Sequence, residues 1–428
     1  MKPWPHGALV VYLVALAFGV LTPHPPPVPL PPDAVVRPPD GLVADAIRNL
    51  VLLMPLGWLL AALGRGARFA ALLGLLLSLA IEGAQHFVPG RFTSAVDVVM
   101  NTASAALGAL LYATRCTWLR PEPPAARRLA LACGIAAVLA LGVGVQLLRL
   151  SPRGPGFDAG WRPELGQYEP YAGAVVGAQI GDLPLPIGPI ADEAAFVRAF
   201  ATGQPLSLDA ELRPSRGATA PLFTVHDDAQ EEILLVAAQG SDLLLERRTR
   251  ALDFGLEQPA HRFAGVLTPP SLPGDRPGGA PLAGADPVPA SPAIARIRLA
   301  WTGSSAALSI DDRALGQRSW SPGRIWGLLI PGRIVPAGLE ALLDGVTIAL
   351  VVLPCAYHAR RTWAVAIVFA ALLSALPELG PVSMPRMPEW LGLAAGLVLG
   401  RIARVVCREI VVLTPNDRSR NGFDAEPS

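Results

Sequence analysis

The chain has 428 residues, 52% hydrophobic and 16% charged, with 35 Lys and Arg against 34 Asp and Glu. A mean hydropathy of +0.42 is too apolar for a soluble chain of this length, so composition points to a polytopic membrane protein. The net charge of +1, with no basic patch outside the loops between apolar segments, excludes a nucleic-acid partner.

In chain order, eight apolar segments are expected to span a bilayer, roughly 8–21, 46–64, 68–86, 95–114, 129–149, 338–357, 362–378 and 389–407. The first also reads as a signal peptide: Lys2 precedes a short apolar run, and Ala15-Leu16-Ala17 has the small-residue pattern of a cleavage site. The stretch from Thr22 to Gly41 is so dense in proline that an extended polyproline II spacer is expected. Cys116, Cys133, Cys355 and Cys407 all lie in or beside apolar segments, and their spacing indicates neither a disulfide framework nor a metal site.

Within this apolar sequence a few polar residues recur at helical spacing. The second span carries Asp45, Arg48 and Asn49 ahead of Pro55-Leu56-Gly57. The third carries Ser78, Glu82 and Gln85, spaced i, i+4, i+7 on one face, and the fourth carries Asp97, Asn101, Ser104 and Gly108 in the same manner. Arg91 lies in the loop between them. Ionisable groups at such depth are costly unless they face the bundle interior and pair, so the stripes mark a candidate site, with interfacial polar residues and helix caps as the plainer reading.

Basic residues set an expected orientation. With the N-terminus inside, Lys2, Arg65, Arg68, Arg115, Arg120, Arg127, Arg128, Arg360, Arg361, Arg401, Arg404 and Arg408 all fall at cytoplasmic ends, and the short opposite loops hold only Arg37, Arg91 and Arg386. Both termini are then cytoplasmic, and the polar stripes meet at the outer leaflet.

Between the fifth and sixth spans, residues 151–330 show strand periodicity. Leu206, Leu208, Ala210 and Leu212 alternate with polar residues, and Leu222 to Val225 follow a proline. Hairpins are expected across Gln239-Gly240-Ser241-Asp242 and across Thr302-Gly303-Ser304-Ser305, and a single helical turn over Asp192 to Phe200. Short strands at even spacing suggest a sandwich placed outside the membrane. Pro269 to Pro292 read as a disordered loop within it. His226, Asp227 and Asp228 form a metal cluster on paper and a solvated turn otherwise; Trp161, Trp301, Trp320 and Trp326 offer a sugar-stacking surface or, for most, core packing. The fold class is therefore an all-α polytopic bundle of about eight spans with an inserted all-β sandwich.

The series Asn49, Pro55-Leu56-Gly57, Ile81-Glu82, Gln85, Arg91, Asp97, Asn101 and Gly108 resembles the VanZ-like family of membrane proteins over about the first third of the chain. That resemblance implies a small helical membrane domain associated with the cell envelope and with tolerance of glycopeptide antibiotics such as teicoplanin; it supplies no reaction. The middle region is similar in the order of its pieces to concanavalin A-like and laminin-G-like jelly rolls, folds that often bind glycans. The resulting organisation is 1–150, a VanZ-like domain of five spans; 151–330, the sandwich; 331–410, three further spans; and 411–428, a disordered cytoplasmic tail. The last three spans look like a worn copy of the first block, with Asp344 and Pro354 answering Asn49 and Pro55, and Ser374 to Glu378 answering Ser78 to Glu82.

The candidate polar cluster is Asn49, Glu82, Gln85, Arg91, Asp97 and Asn101. Glu82 reads as a general acid or base or as a structural partner of Arg91; Asp97 as a site residue or as a cap; Arg91 as the binder of a phosphate or carboxylate. His86 reads as a ligand or proton relay or, more plainly, as an interfacial residue. No nucleophile elbow, P-loop, HExxH or glycine-rich dinucleotide fingerprint is present, and no cofactor or metal is expected. Two functions follow. One is a non-enzymatic envelope factor whose sandwich binds a glycan or envelope protein while the helices contact membrane lipid. The other is an enzyme or binder acting at this cluster on a polyprenyl-phosphate or phospholipid head group.

Overall fold

The structure, a computed structural model, describes residues 4–21, 41–88, 93–163, 168–267 and 294–412. The proline-rich spacer, the loop from Pro269 to Pro292 and the tail from residue 413 on lie outside the described residues.

Helix α1 (Trp4–Leu21) is followed by α2 (Leu42–Leu52) and α3 (Met54–Ala62), which form one span interrupted at Leu53 because Pro55 has no N–H to continue the ladder. Then come α4 (Ala67–Gln85), α5 (Ala95–Ala113), the short α6 (Arg115–Leu119) and α7 (Pro123–Leu147), which starts on a proline at its first position. After the sandwich, α9 (Ala337–His358), α10 (Thr362–Leu379) and α11 (Met387–Val412) complete the helical part. Seven of these spans are long and apolar enough to cross a bilayer, and α1 supplies a shorter apolar segment over Pro5–Val20.

The helices form two packed groups. Leu16 of α1, Leu53, Leu56 and Leu60 of the α2–α3 span, Ala70 and Ile81 of α4, and Ala105 and Ala109 of α5 share one core. Tyr12 donates to the Leu52 carbonyl (2.6 Å) and fixes α1 against that group. Ala137, Leu141 and Val145 of α7 share the other with Ile348 and Val352 of α9, Phe369 and Leu373 of α10, and Leu393 of α11. The outward faces carry exposed apolar side chains such as Leu72, Leu76, Leu131, Leu350 and Val398. In water such a belt would aggregate; it suits contact with lipid.

The middle region contains twelve strands in two six-stranded antiparallel sheets. In chain order they are β1 (Asp158–Trp161), β2 (Val175–Ile180), β3 (Leu183–Pro184), β4 (Gly188–Pro189), helix α8 (Glu193–Thr202), β5 (Leu206–Glu211), β6 (Thr219–His226), β7 (Glu232–Gln239), β8 (Asp242–Arg247), β9 (His261–Phe263), β10 (Ile294–Thr302), β11 (Ser305–Ile310) and β12 (Arg313–Ser319). One sheet runs β4-β1-β6-β7-β8-β9 and the other β12-β11-β10-β5-β2-β3. Leu206, Leu208, Ile297 and Leu299 from one and Leu222, Phe223, Leu234 and Val236 from the other fill the common core, closed by Phe196 and Phe200 of α8. Both expected hairpins form, β7 to β8 and β10 to β11. The expected helical turn is a ten-residue helix, capped where Asp192 Oδ1 accepts the Ala195 N–H (2.8 Å).

The sandwich sits on one end of the bundle. Thr249 bridges to Leu150 just past α7, Ala251 N–H donates to the Leu147 carbonyl (3.0 Å), and Val43 and Ala44 N–H groups donate to the Gly255 carbonyl (2.7 and 3.0 Å). Ser383 N–H, before α11, donates to the Trp320 carbonyl (2.7 Å). The four tryptophans face inward: Trp161, Trp301 and Trp326 donate to the Leu185 carbonyl, the Phe200 carbonyl and Asp344, and Trp320 is fully buried. His226 Nδ1, at the end of β6, lies 3.0 Å from the Asp158 carbonyl of β1, and Asp227 Oδ1 accepts the Glu231 N–H (2.8 Å) within the β6–β7 turn.

Candidate functional site

The polar stripes meet at the end of the bundle that carries the sandwich. Ser78, Glu82 and Gln85 are all buried on the face of α4 turned toward its neighbours. Asn101 of α5 donates through Nδ2 to Ser78 Oγ (3.1 Å), a pair between two helix interiors. Gln85 donates through Nε2 to the Val20 carbonyl (3.1 Å), satisfying one of the carbonyls that the last turn of α1 leaves open. Glu82 Oε2 accepts the Ser94 N–H (2.8 Å), while Ser94 Oγ caps α5 by accepting the Val96 N–H (3.2 Å). Glu82 and Ser94 together therefore close the open donors at the start of α5.

Asn49 is buried on α2. Asp97, half-buried in the first turn of α5, interacts electrostatically with Asp45 of α2 and Glu82 of α4, so three carboxyl groups converge here. Asp97 Oδ1, Asn101 Oδ1 and Ser104 Oγ have no hydrogen-bond partner among the described residues. Arg91 lies outside the described residues. Of the six candidates the structure thus brings together Glu82, Gln85, Asp97 and Asn101 along the α4–α5 seam, with Asn49 on the adjoining α2.

The residue that joins this seam to the sandwich is Arg48. Its guanidinium reaches Asp45 (3.0 Å), Glu257 (3.1 Å) and the Leu329 carbonyl (2.6 Å) at once. Burial pushes the Glu257 carboxyl up and the Arg48 charge opposes that shift. Arg48 stands in the first stripe, but nothing in the sequence identifies Glu257, which is 209 residues away, as its partner.

A carboxylate that caps a helix and an amide that closes another helix's end are held in place by those bonds. Among the described residues they leave no nucleophile beside a base. No group of three or more His, Cys, Asp or Glu side chains able to hold a metal occurs among the described residues.

No curated protein and no solved structure matches the chain. A family model described as VanZ/LLP1 matches residues 9–118, a stretch that takes in α1 to α5 and every residue of the seam. The N-terminal helical block is therefore a VanZ/LLP1 domain, set in a multi-pass membrane protein that also carries a β-sandwich.

Proposed function

We propose that this protein is a non-enzymatic cell-envelope factor in which the VanZ/LLP1 domain anchors and orients an extracytoplasmic sandwich. The observation that carries this reading is the use of the seam: Glu82 caps α5, Gln85 closes α1 and Asn101 pairs with Ser78. The sandwich is the element left to meet a partner. Because Trp161, Trp301, Trp320 and Trp326 turn inward, an envelope protein suits it better than a glycan, and its jelly-roll likeness stays part of this proposal. Tolerance of glycopeptides is the phenotype to measure.

The experiment is Glu82→Gln, whose amide oxygen still accepts the Ser94 N–H. Unchanged abundance and unchanged teicoplanin tolerance are expected; lost tolerance at wild-type abundance would move the seam from architecture to chemistry.

The orientation with both termini inside is supported by arginine placement. Arg65, Arg68, Arg115, Arg120, Arg360, Arg361, Arg401 and Arg404 stand at the ends of their helices remote from the sandwich. A membrane-impermeant maleimide should label Arg216→Cys, on an exposed loop, in intact cells and reach the exposed Cys116 only after permeabilisation. The reverse pattern rejects this topology.

A further inference from the structure

A second polar site lies where the sandwich meets the C-terminal helices. It is a cavity of about 150 Å³ between β9, the end of β12, and the first turns of α9 and α11. Four arginines line it, Arg262, Arg318, Arg324 and Arg386, against two carboxylates, Glu340 and Asp344. Arg262 and Arg324 are buried and engaged: Arg262 reaches Asp242 (3.1 Å) and Glu340 (3.5 Å), and Arg324 reaches Glu340 (2.7 Å) and Asp344 (3.2 Å). Arg318 and Arg386 have no carboxylate within ion-pair distance among the described residues; Arg386 donates to the Ser319 carbonyl and hydroxyl.

The wall also holds buried polar atoms with nothing to bond. Trp320 is 1% exposed and its Nε1–H, which can only donate, has no acceptor among the described residues; His261 is 2% exposed with Nδ1 unpartnered. One layer behind, Arg247 is completely buried, its guanidinium 5.1 Å from the Trp320 ring and 5.6 Å from the Trp301 ring, with none of its three nitrogens hydrogen-bonded among the described residues. A buried cation in such a setting is costly unless negative charge is supplied nearby. The N-terminal ends of α9 and α11 each carry a carboxylate of their own, Glu340 paired with Arg324 and the buried Glu389, whose Oε2 accepts the Arg386 backbone N–H (3.0 Å).

We propose that this cavity binds an anionic phosphoryl group. Two arginines without a carboxylate partner among the described residues, Arg318 and Arg386, and a buried indole N–H without an acceptor there are the chemistry that recognises such a group, and planar arginines suit its oxygens. The cavity lies beside the sandwich-side ends of two apolar helices long enough to span a bilayer, so the phosphoryl group comes from a membrane lipid on the sandwich side or from free phosphate at that surface. This site is separate from the α4–α5 seam and stands or falls independently of the envelope-factor reading.

The test uses the full chain in nanodiscs, following tryptophan fluorescence and thermal unfolding, with Arg318→Gln as the main variant because Arg318 is exposed and makes no described side-chain contact. In neutral phosphatidylcholine discs, inorganic phosphate should bind saturably and about tenfold more weakly to the variant, about 1.4 kcal/mol. In discs containing phosphatidylglycerol, the wild type should melt higher and the phosphate titration should be suppressed if a head group is the natural occupant; a phosphate response with no lipid effect assigns the site to the free anion. Arg386→Gln should weaken whichever probe binds. The proposal is overturned if neither probe produces a response, or if wild type and both variants respond alike.

Discussion

The two helical blocks solve the same packing problem with different polar chemistry. In each, two helices cross at glycines, backbone against backbone. A Cβ added to Gly57 of α3 would lie 1.8 Å from the Ala105 carbonyl oxygen of α5, and one added to Gly108 of α5 would lie 2.0 Å from that of Met54. In the C-terminal block a Cβ on Gly392 of α11 would lie 2.1 Å from the Gly345 carbonyl oxygen of α9. The blocks diverge in what their buried polar residues face. The VanZ/LLP1 block turns Ser78, Gln85 and Asn101 toward its own helices through neutral hydrogen bonds, and among the described residues its ion pairs are confined to Arg48 with Asp45 and Glu257. The C-terminal block turns Glu340 and Asp344 toward Arg262, Arg324, Ser321 and Trp326, so its charges are completed only by the sandwich and the segment that leads out of it. Among the described residues the first block's ionic contact with the sandwich is a single arginine, Arg48, whereas the C-terminal block meets it through a network of buried arginines and carboxylates.

The shared crossing gives the largest expected effect. Gly108→Val and Gly392→Val both place side-chain atoms inside a neighbouring backbone, where no rotamer change relieves the overlap. Each should remove folded, monodisperse protein from detergent extracts, as seen by size-exclusion chromatography. Wild-type recovery of either variant breaks the parallel between the blocks.

The divergence gives the next effect in size. Asp344→Ala leaves the Trp326 indole N–H without its acceptor and takes one of two carboxylates from the buried Arg324, which keeps Glu340; a buried donor left unsatisfied costs about 1–3 kcal/mol. Asn101→Ala removes one neutral bond to Ser78, for which about 0.6 kcal/mol is typical between membrane helices. Thermal unfolding in one detergent should therefore rank Asp344→Ala below Asn101→Ala. Equal losses would remove the distinction between the two polar chemistries.

How much of this was legible in the sequence follows from range. The spans were readable because an apolar run of bilayer length has few other uses, and Ser78, Glu82 and Gln85 share a face by spacing alone. The hairpins were readable from turn residues between alternating strands. The edge strand β12 was not: Arg313 to Arg318 are all exposed, so no buried face imprints a period of two. The helix over Glu193–Thr202 was underestimated because its apolar stripe is confined to Phe196, Ala199 and Phe200. The contacts that join the domains, Arg48 with Glu257 and Arg262 with Glu340, pair residues far apart in the chain, and no local pattern announces them. Arg247 was hidden for a different reason, since an arginine following Leu243-Leu244-Leu245-Glu246 reads as the exposed end of a strand, whereas it lies between two tryptophans.

The smallest effect sharpens the comparison by pH, because an imidazole of β9 is buried where the sandwich meets the C-terminal block, whereas His86 beside the VanZ/LLP1 seam is exposed. Burial lowers the His261 proton affinity well below the ordinary value of 6.5, and Arg247, Arg324 and Arg386 add to that effect against a bond to the Ser304 carbonyl. The folded protein thus holds His261 neutral where the unfolded chain protonates it. Below about pH 6.5 the unfolded state binds the extra proton, so stability falls as pH drops, with a slope approaching 1.4 kcal/mol per pH unit. Glu257 works in the opposite sense, since a carboxyl raised by burial takes up its proton more readily in the folded state, and its contribution is lost as pH rises through its folded value. His261→Gln lowers stability at pH 7.5 by losing the ring stacked 4.5 Å from Trp320, yet it should flatten the decline between pH 6.5 and 5.5 measured by tryptophan fluorescence melts. An unchanged slope in that variant would assign the acid sensitivity to other groups and leave the junction between sandwich and C-terminal block independent of His261.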